Sequence, residues 1–283
     1  MFCNQITFVL FMFNEEARIE RAVRNFLPYG PVLVVDNYST DGTVEIARAL
    51  GAEVLLNKNS GWVEDERTTS VVKAAVQTPW IYWGFSDEMV DRATMSAMLD
   101  AVRGGNYSIV NIARKNYYYG QFCHDAYRNT QPRAFKKDAV DFIGNVIHKF
   151  GKTTVPESEI CYLDPTRFFV HHFISNTAKS YIASLDRYTD IESGHTEPMT
   201  TLKMLLRMAR GFLGHYFIKG GHKAGRAGVY LGLLMSLYTL ILSMKAYERN
   251  QKLDTRSIEE QNNKIRDELL AELEHVASHI SVG

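Results

Sequence analysis

From residue 6 to about residue 113, short apolar runs alternate with stretches whose apolar residues recur every three or four positions. Few folds accept that rhythm. Strand-length runs separated by helix-length segments are the sequence form of βαβ units, which close into a mostly parallel sheet covered by helices. The spacing predicts strands over Ile6–Phe13, Pro31–Asp36, Glu53–Asn57, Trp80–Gly84 and Tyr107–Ala113, and helices over Glu15–Phe26, Thr43–Leu50 and Asp65–Val76. The second helix has a physical start and stop: Asp41 can accept from the free amides of its first turn, Val44, Ala47 and Leu50 share a face, and Gly51 follows.

Composition narrows the class. With 46% hydrophobic and 23% charged residues in 283, the chain is neither disordered nor fibrous. Thirty-two basic side chains balance thirty-two acidic ones, so no global field draws it onto nucleic acid, and no nucleic-acid partner is expected. Cys3, Cys123 and Cys161 are far apart and form neither a disulfide framework nor a metal knuckle, which points to a reducing compartment. The apolar run Ile6–Phe13 has no basic leader and passes straight into Asn14-Glu15-Glu16, so it reads as a buried first strand and not a signal peptide.

In an open α/β sheet the ligand crevice lies at the carboxyl ends of the strands. Asn14-Glu15-Glu16, the run Asp36-Asn37-Tyr38-Ser39-Thr40-Asp41-Gly42-Thr43 and Phe85-Ser86-Asp87-Glu88 each follow a predicted strand and so face one site. A carboxylate at Asp36 can accept an imide N–H or a ribose hydroxyl, which suits a nucleotide base without a glycine-rich loop; Asp36 and Asp41 can also simply cap and turn. Asp87 is a hard oxygen ligand of the kind Mg²⁺ or Mn²⁺ shares with a diphosphate. Ser86 or Asp87 can equally cap a helix beginning there. His171 and His172, after the strand-like Phe168-Phe169-Val170, read first as core packing, with a place beside a metal or diphosphate as the alternative. Gly220–Arg226 has P-loop glycine spacing but lacks the Lys-Ser/Thr that would hold phosphate.

Together these motifs, with Gly51-Ala52 and Glu66-Arg67, resemble inverting family 2 glycosyltransferases of the GT-A fold. Later landmarks narrow the resemblance to the bacterial group that includes lipopolysaccharide-core β-glucosyltransferases: Pro132-Arg133-Ala134-Phe135, Val146-Ile147-His148, His171-His172, Arg187-Tyr188-Thr189, and Tyr216–Gly221 leading to Gly225–Gly228. It covers about residues 5 to 247. It implies a Rossmann-like, mostly parallel sheet, a UDP-linked hexose donor, a glycan or lipid-linked acceptor and displacement with inversion at the anomeric carbon. Asn14, Glu15, Asp36, Asn37, Arg67, Ser86 and Asp87 would form the donor site, with Asp36 on uracil, Arg67 near the base or diphosphate, and Asp87 on Mn²⁺ or Mg²⁺. Two positions depart from the pattern. Phe85 stands where the acidic triplet usually begins, and His148-Lys149 replaces a His-Glu pair whose glutamate would serve as base. His148 is then the first candidate base, its side-chain type titrating near neutrality, with Asp138 and Asp141 behind it. The alternative is a non-catalytic, membrane-bound scaffold of the same fold. Acceptor contacts are expected in the aromatic segment Tyr117–Tyr127 and at Arg133.

Between Met199 and Tyr247 there is no Asp or Glu, while Lys203, Arg207, Arg210, Lys219, Lys223, Arg226 and Lys245 are basic. Within it the uncharged run Ala227–Met244 is at the lower edge of spanning length. A helical region lying on an anionic membrane is expected, on the inner, cytoplasmic face of the cell membrane, with a buried helical hairpin as the alternative. From Leu253 to Ile280, apolar residues Ile258, Ile265, Leu269, Leu273, Val276 and Ile280 recur at helical spacing and call for a partner, such as a second copy. The expected division is a glycosyltransferase domain over 1–198, a membrane-associating extension over 199–250 and an amphipathic tail over 251–283.

Overall fold

The computed structural model describes residues 2–122, 127–174 and 177–280. Cys123, part of the aromatic segment 117–127, and the side chains of Val276 and Ile280 lie outside the described residues. Two compact units are distinguishable: the chain up to Ala183 together with Phe212–Leu233, and Ser184–Gly211 together with the chain from Leu234 onward.

The first unit begins with the expected alternation: β1 (Ile6–Met12), α1 (Ile19–Phe26), β2 (Val32–Asp36), α2 (Thr43–Ala49), β3 (Glu53–Leu56), α3 (Glu66–Ala75) and β4 (Trp80–Phe85). There follow β5 (Glu88–Val90), α4 (Arg92–Arg103), β6 (Ile109–Tyr118), β7 (Gln121–Phe122), β8 (Tyr127–Lys136), β9 (Val140–Asp141), β10 (Lys152–Thr153), β11 (Ile160–Tyr162) and β12 (Phe169–Ile174). The main sheet runs β3-β2-β1-β4-β8-β6-β12-β5, with β7 and β11 also on β6, while β9 and β10 pair separately. It is parallel through β3, β2, β1 and β4 and again where β6 meets β11 and β12. It turns antiparallel where β8 enters between β4 and β6, and at the β12–β5 edge.

All seven residues of β1 are buried, because its two faces meet different layers. Phe8, Leu10 and Met12 pack with Ile19, Val23 and Phe26 of α1 and Met95, Met98 and Leu99 of α4, whereas Val9 and Phe11 pack with Val72 of α3, Ile81 and Trp83. A strand buried on both sides reads as a continuous apolar run, which is why this part of the sheet is plain in the sequence.

Three expectations are corrected. The first helix begins at Ile19 and not Glu15, because residues 14–16 are bonded to a neighbouring turn instead. The fifth strand continues past Ala113 to Tyr118. No helix starts at Ser86 or Asp87: β5 intervenes, and the cap belongs to Asp91, whose carboxylate accepts from the Thr94 amide at 2.8 Å.

The remaining helices are α5 (Ala178–Ser193), α6 (Thr201–Leu213), α7 (Gly225–Gln251) and α8 (Thr255–Ile280). A π-helical turn over Gly214–Ile218 and a 3-10 turn over Gly221–Ala224 join α6 to α7. Among the described residues, the stretch Gly221–Gln251 is the one helix long and apolar enough to cross a membrane. Within the second unit, α7 is tied to α5 by polar contacts: Tyr238 donates to Glu192 at 2.5 Å, and Lys245 pairs with Asp186 at 2.6 Å and Asp190 at 2.8 Å. On α8, Ile258, Ile265, Leu269 and Leu273 are all exposed.

Candidate active site

The register sets the geometry. Met12 of β1 is paired with Asp36, and Phe11 with Phe85, so Asp36 ends the strand on one side of β1 and Asp87 follows two residues after the strand on the other side ends. The chain leaving β1 passes between them and is clasped to the turn after β2. Asn14 adopts a left-handed φ of 55°, its amide donates to Ser39 Oγ at 2.8 Å, and its Oδ1 accepts from the Thr40 amide at 2.8 Å. The Glu15 amide donates to Thr43 Oγ1 at 2.7 Å, the Glu16 amide to Asp41 Oδ2 at 3.1 Å, and Glu16 Oε2 accepts in return from the Gly42 amide at 3.0 Å. These bonds occupy amides that a helix beginning at Glu15 would have left unpaired. Asp41 serves the first turn of α2 as expected, accepting from the Thr43 amide at 3.1 Å.

Asp36 is fully buried, and its carboxylate accepts from the Ser39 amide at 2.7 Å and from Ser39 Oγ at 2.5 Å. Asn37 Oδ1 accepts from the Asn59 amide at 3.2 Å, drawing the segment after β3 toward the same edge. Arg67 lies exposed in the first turn of α3, and its side chain makes no hydrogen bond or ion pair among the described residues.

The second half of the site forms around Asp87. Glu15 interacts electrostatically with it and forms a two-pronged pair with Arg18 at 2.6 and 2.7 Å. Burial raises the Glu15 carboxyl above its ordinary value and the Asp87 charge adds to this, against the lowering pull of Arg18. Burial would also raise Asp87, but His172, Arg114 and Arg18 outweigh it and hold that carboxyl below the usual range. The pairing of Asp87 therefore favours the folded state above the ordinary aspartate pKa, and that contribution is lost as pH falls through the depressed native value.

His172 belongs to this cluster and not to the core, correcting the first reading of the two histidines. Its Nε2 lies 3.3 Å from Asp87 Oδ2, and its Nδ1 lies 2.6 Å from Asn116 Oδ1. His171 points elsewhere: its Nδ1 shares a hydrogen bond with the Tyr117 hydroxyl at 2.8 Å, and its Nε2 lies 3.5 Å from Asp91. In a strand, successive side chains face opposite ways, so a His-His pair divides between two environments. The first sequence signal for His172 was thus its neighbour.

Glu88 and Arg133 also leave the expected roles. Glu88 is wholly buried and accepts from Arg133 at 2.7 and 3.0 Å and from Arg114 at 2.9 Å. Arg133, 2% exposed, also donates to the Trp83 carbonyl at 3.1 Å. It is therefore an internal brace between β8 and β4, not an acceptor contact.

His148 is exposed on the loop between β9 and β10 with a φ of 67°. That loop is tied to the start of α3: the Asn145 side chain donates to the Glu64 carbonyl at 3.0 Å, and the Gly144 amide to Glu66 at 3.4 Å. Of the reserve candidates, Asp141 is engaged with the Ile143 amide at 2.9 Å. Among the described residues no group of three His, Cys, Asp or Glu side chains is gathered as a self-sufficient metal cage.

Comparison with known proteins identifies the family. The model for the family described as Glycosyl transferase family 2 matches residues 7–155, more than half of the chain. The chain belongs to glycosyl transferase family 2. An uncharacterized glycosyltransferase of Rickettsia typhi is 51% identical over 51 residues, covering 18% of each chain. A second, from Rickettsia prowazekii, is 49% identical over 51 residues with the same coverage. The match thus spans 18% of the length of these curated relatives. Similar solved structures include a mannosyltransferase from Pyrobaculum calidifontis in complex with GDP-Man and Mn²⁺, 12% identical, covering 87% of this chain and 88% of that one with a TM-score of 0.48. Another is TarS 1-349 of S. aureus in complex with UDP-GlcNAc, 12% identical, covering 89% and 93% with a TM-score of 0.46. In this family 2 chain the matched span holds Asn14, Glu15, Asp36, Asn37, Arg67, Ser86, Asp87 and His148, but not His172.

Proposed function

We propose that the protein is an inverting hexosyltransferase that takes its sugar from a UDP-linked donor and passes it to a glycan or lipid-linked acceptor in bacterial surface polysaccharide, of the lipopolysaccharide-core kind. The observation that carries this reading is the pair of carboxylates at the carboxyl ends of the strands beside β1, Asp36 closing β2 and Asp87 just beyond β4, with Glu15 supplied by the chain leaving β1. Asp36 takes the nucleoside end, Asn37 and Arg67 flank it, and Asp87 with Ser86 and Glu15 takes the diphosphate end.

Asp87 and His172 fit a divalent cation. One carboxylate and one imidazole 3.3 Å apart, completed by diphosphate oxygens, meet the needs of Mn²⁺, or of Mg²⁺ through the carboxylate. Bound there, the ion supplies positive charge to the departing diphosphate. The chain's own residues do the rest. The acceptor hydroxyl oxygen bonds to the anomeric carbon as the carbon–oxygen bond to phosphate breaks, the nucleoside diphosphate leaves with the electron pair, and the hydroxyl proton passes to the His148 imidazole. The enzyme works at the inner face of the cell membrane, and the exposed stripe of α8 pairs with a second copy.

Calorimetric titration with UDP and UDP-sugars, with and without Mn²⁺, tests the donor site. Binding that strengthens with the metal is expected. Metal-independent binding overturns the Asp87–His172 assignment, and no binding to any nucleotide moves the chain to a non-catalytic scaffold. His148→Ala is expected to slow donor turnover on the order of a hundredfold while leaving calorimetric donor affinity within about twofold. Unchanged turnover with glycan acceptors would move the base elsewhere.

A further inference from the structure

In the second unit, α6 presents an amphipathic surface whose apolar side chains are exposed among the described residues. Over residues 201–211, Leu202, Leu205, Leu206 and Ala209 share one face at helical spacing, and the three leucines are 68%, 52% and 62% exposed. Lys203, Arg207 and Arg210 are exposed along one border of that face. The helix is held from another side: Met204 and Met208 are half-buried, Ser236 Oγ of α7 donates to the Met208 carbonyl at 2.9 Å, and Gly211 approaches the same serine. No residue of α6 is fully buried.

The occupant of this face follows from charge. The region from Met199 to Tyr247 contains no acidic residue, and among the described residues Lys203, Arg207 and Arg210 make no ion pair. An apolar face bordered by cations matches a surface that is apolar inside and anionic at its edge, which is an acidic lipid bilayer. The more apolar α7 fits that role less well. Its Leu242, Ser243 and Ala246 are buried, and Tyr238 and Lys245 are bonded to α5.

We infer that α6 is the membrane-docking element, lying in the plane of an anionic lipid surface with Leu202, Leu205 and Leu206 in the acyl boundary and Lys203, Arg207 and Arg210 on the headgroups. The inference rests on the membrane location proposed above; no donor-site residue takes part, so it holds or fails apart from the catalytic reading. Sedimentation of the full chain with vesicles of phosphatidylcholine and phosphatidylglycerol, against pure phosphatidylcholine, tests it. Binding to the mixed vesicles that weakens with salt is expected. Leu205→Glu with Leu206→Glu should reduce it at least tenfold with unchanged thermal melting, since both side chains are exposed. Lys203→Gln, Arg207→Gln and Arg210→Gln together should reduce it about a hundredfold, each basic residue near such a surface contributing roughly fivefold. A Leu205→Trp variant gives a second readout, its added fluorescence shifting to the blue on the mixed vesicles. The inference is overturned if neutral and anionic vesicles bind alike, if the double glutamate variant binds as before, or if the tryptophan signal does not shift. It is also overturned if the glutamates split a dimer and vesicles are never bound, which would assign the face to a second copy.

Discussion

Replacing Glu88 by glutamine is expected to destabilise the fold by about 3–5 kcal/mol, because the change keeps the side chain's size but leaves the buried Arg133 without its hydrogen-bonded counter-charge, while Arg114 keeps the charge of Asp87. For a chain of this length that corresponds to a fall in Tm on the order of 10 °C. Arg133 cannot relieve the loss by turning to water, being 2% exposed and already bonded to Trp83. Thermal and urea unfolding of the variant measure the effect. An apolar replacement of both partners, Glu88→Met with Arg133→Met, should cost less than the sum of the two single changes, since each single change strands a charge that the double change removes. A Glu88→Gln protein as stable as the parent would mean that this carboxylate is not the buried counter-ion the geometry makes it.

The largest effect on chemistry is expected at Asp87. Asp87→Asn preserves shape and abolishes the negative charge that faces His172 at 3.3 Å. Donor turnover, followed as UDP release with water standing in for the acceptor, should fall on the order of a thousandfold, and Mn²⁺ should no longer strengthen UDP binding. The fold should survive, because Asp87 lies at the mouth of the sheet and its backbone carbonyl keeps its bond from the Phe173 amide. The two positions are adjacent in sequence yet separable by experiment. Glu88→Gln should show as lost stability and Asp87→Asn as lost turnover; the reverse pattern would exchange their roles.

Much of this arrangement was legible in the sequence where burial is symmetric. β1, β2 and β4 are buried on both faces, so they appear as unbroken apolar runs, and the polar residues directly after them mark the crevice. The helix α4 was hidden by β5. A three-residue strand between Asp87 and the true cap at Asp91 made the acidic cluster look like the helix start itself. The clasp of residues 14–16 was hidden because each of its bonds reaches 25 to 28 residues along the chain. Arg133 and His172 were visible as residues but not as partners. Which side chain answers Glu88 or Asp87 is decided by the order in which β8, β6 and β12 enter the sheet, and no local pattern encodes that order.

The brace between Glu88 and Arg133 also sets a timetable. Its two halves are 45 residues apart, and synthesis delivers Glu88 first. Until β8 has been made, β4 has no neighbour on its far side, and a row of backbone groups flanked by Trp80, Tyr82 and Trp83 stays open to any passing strand. The nascent parallel half of the sheet is thus sticky and carries beside it an acid that Arg114 alone can answer. Closure comes when residues 127–136 insert between β4 and β6, sealing the edge and giving the acid its second guanidinium, Arg133, together. A pause in synthesis before residues 127–136 have left the ribosome would prolong the vulnerable interval.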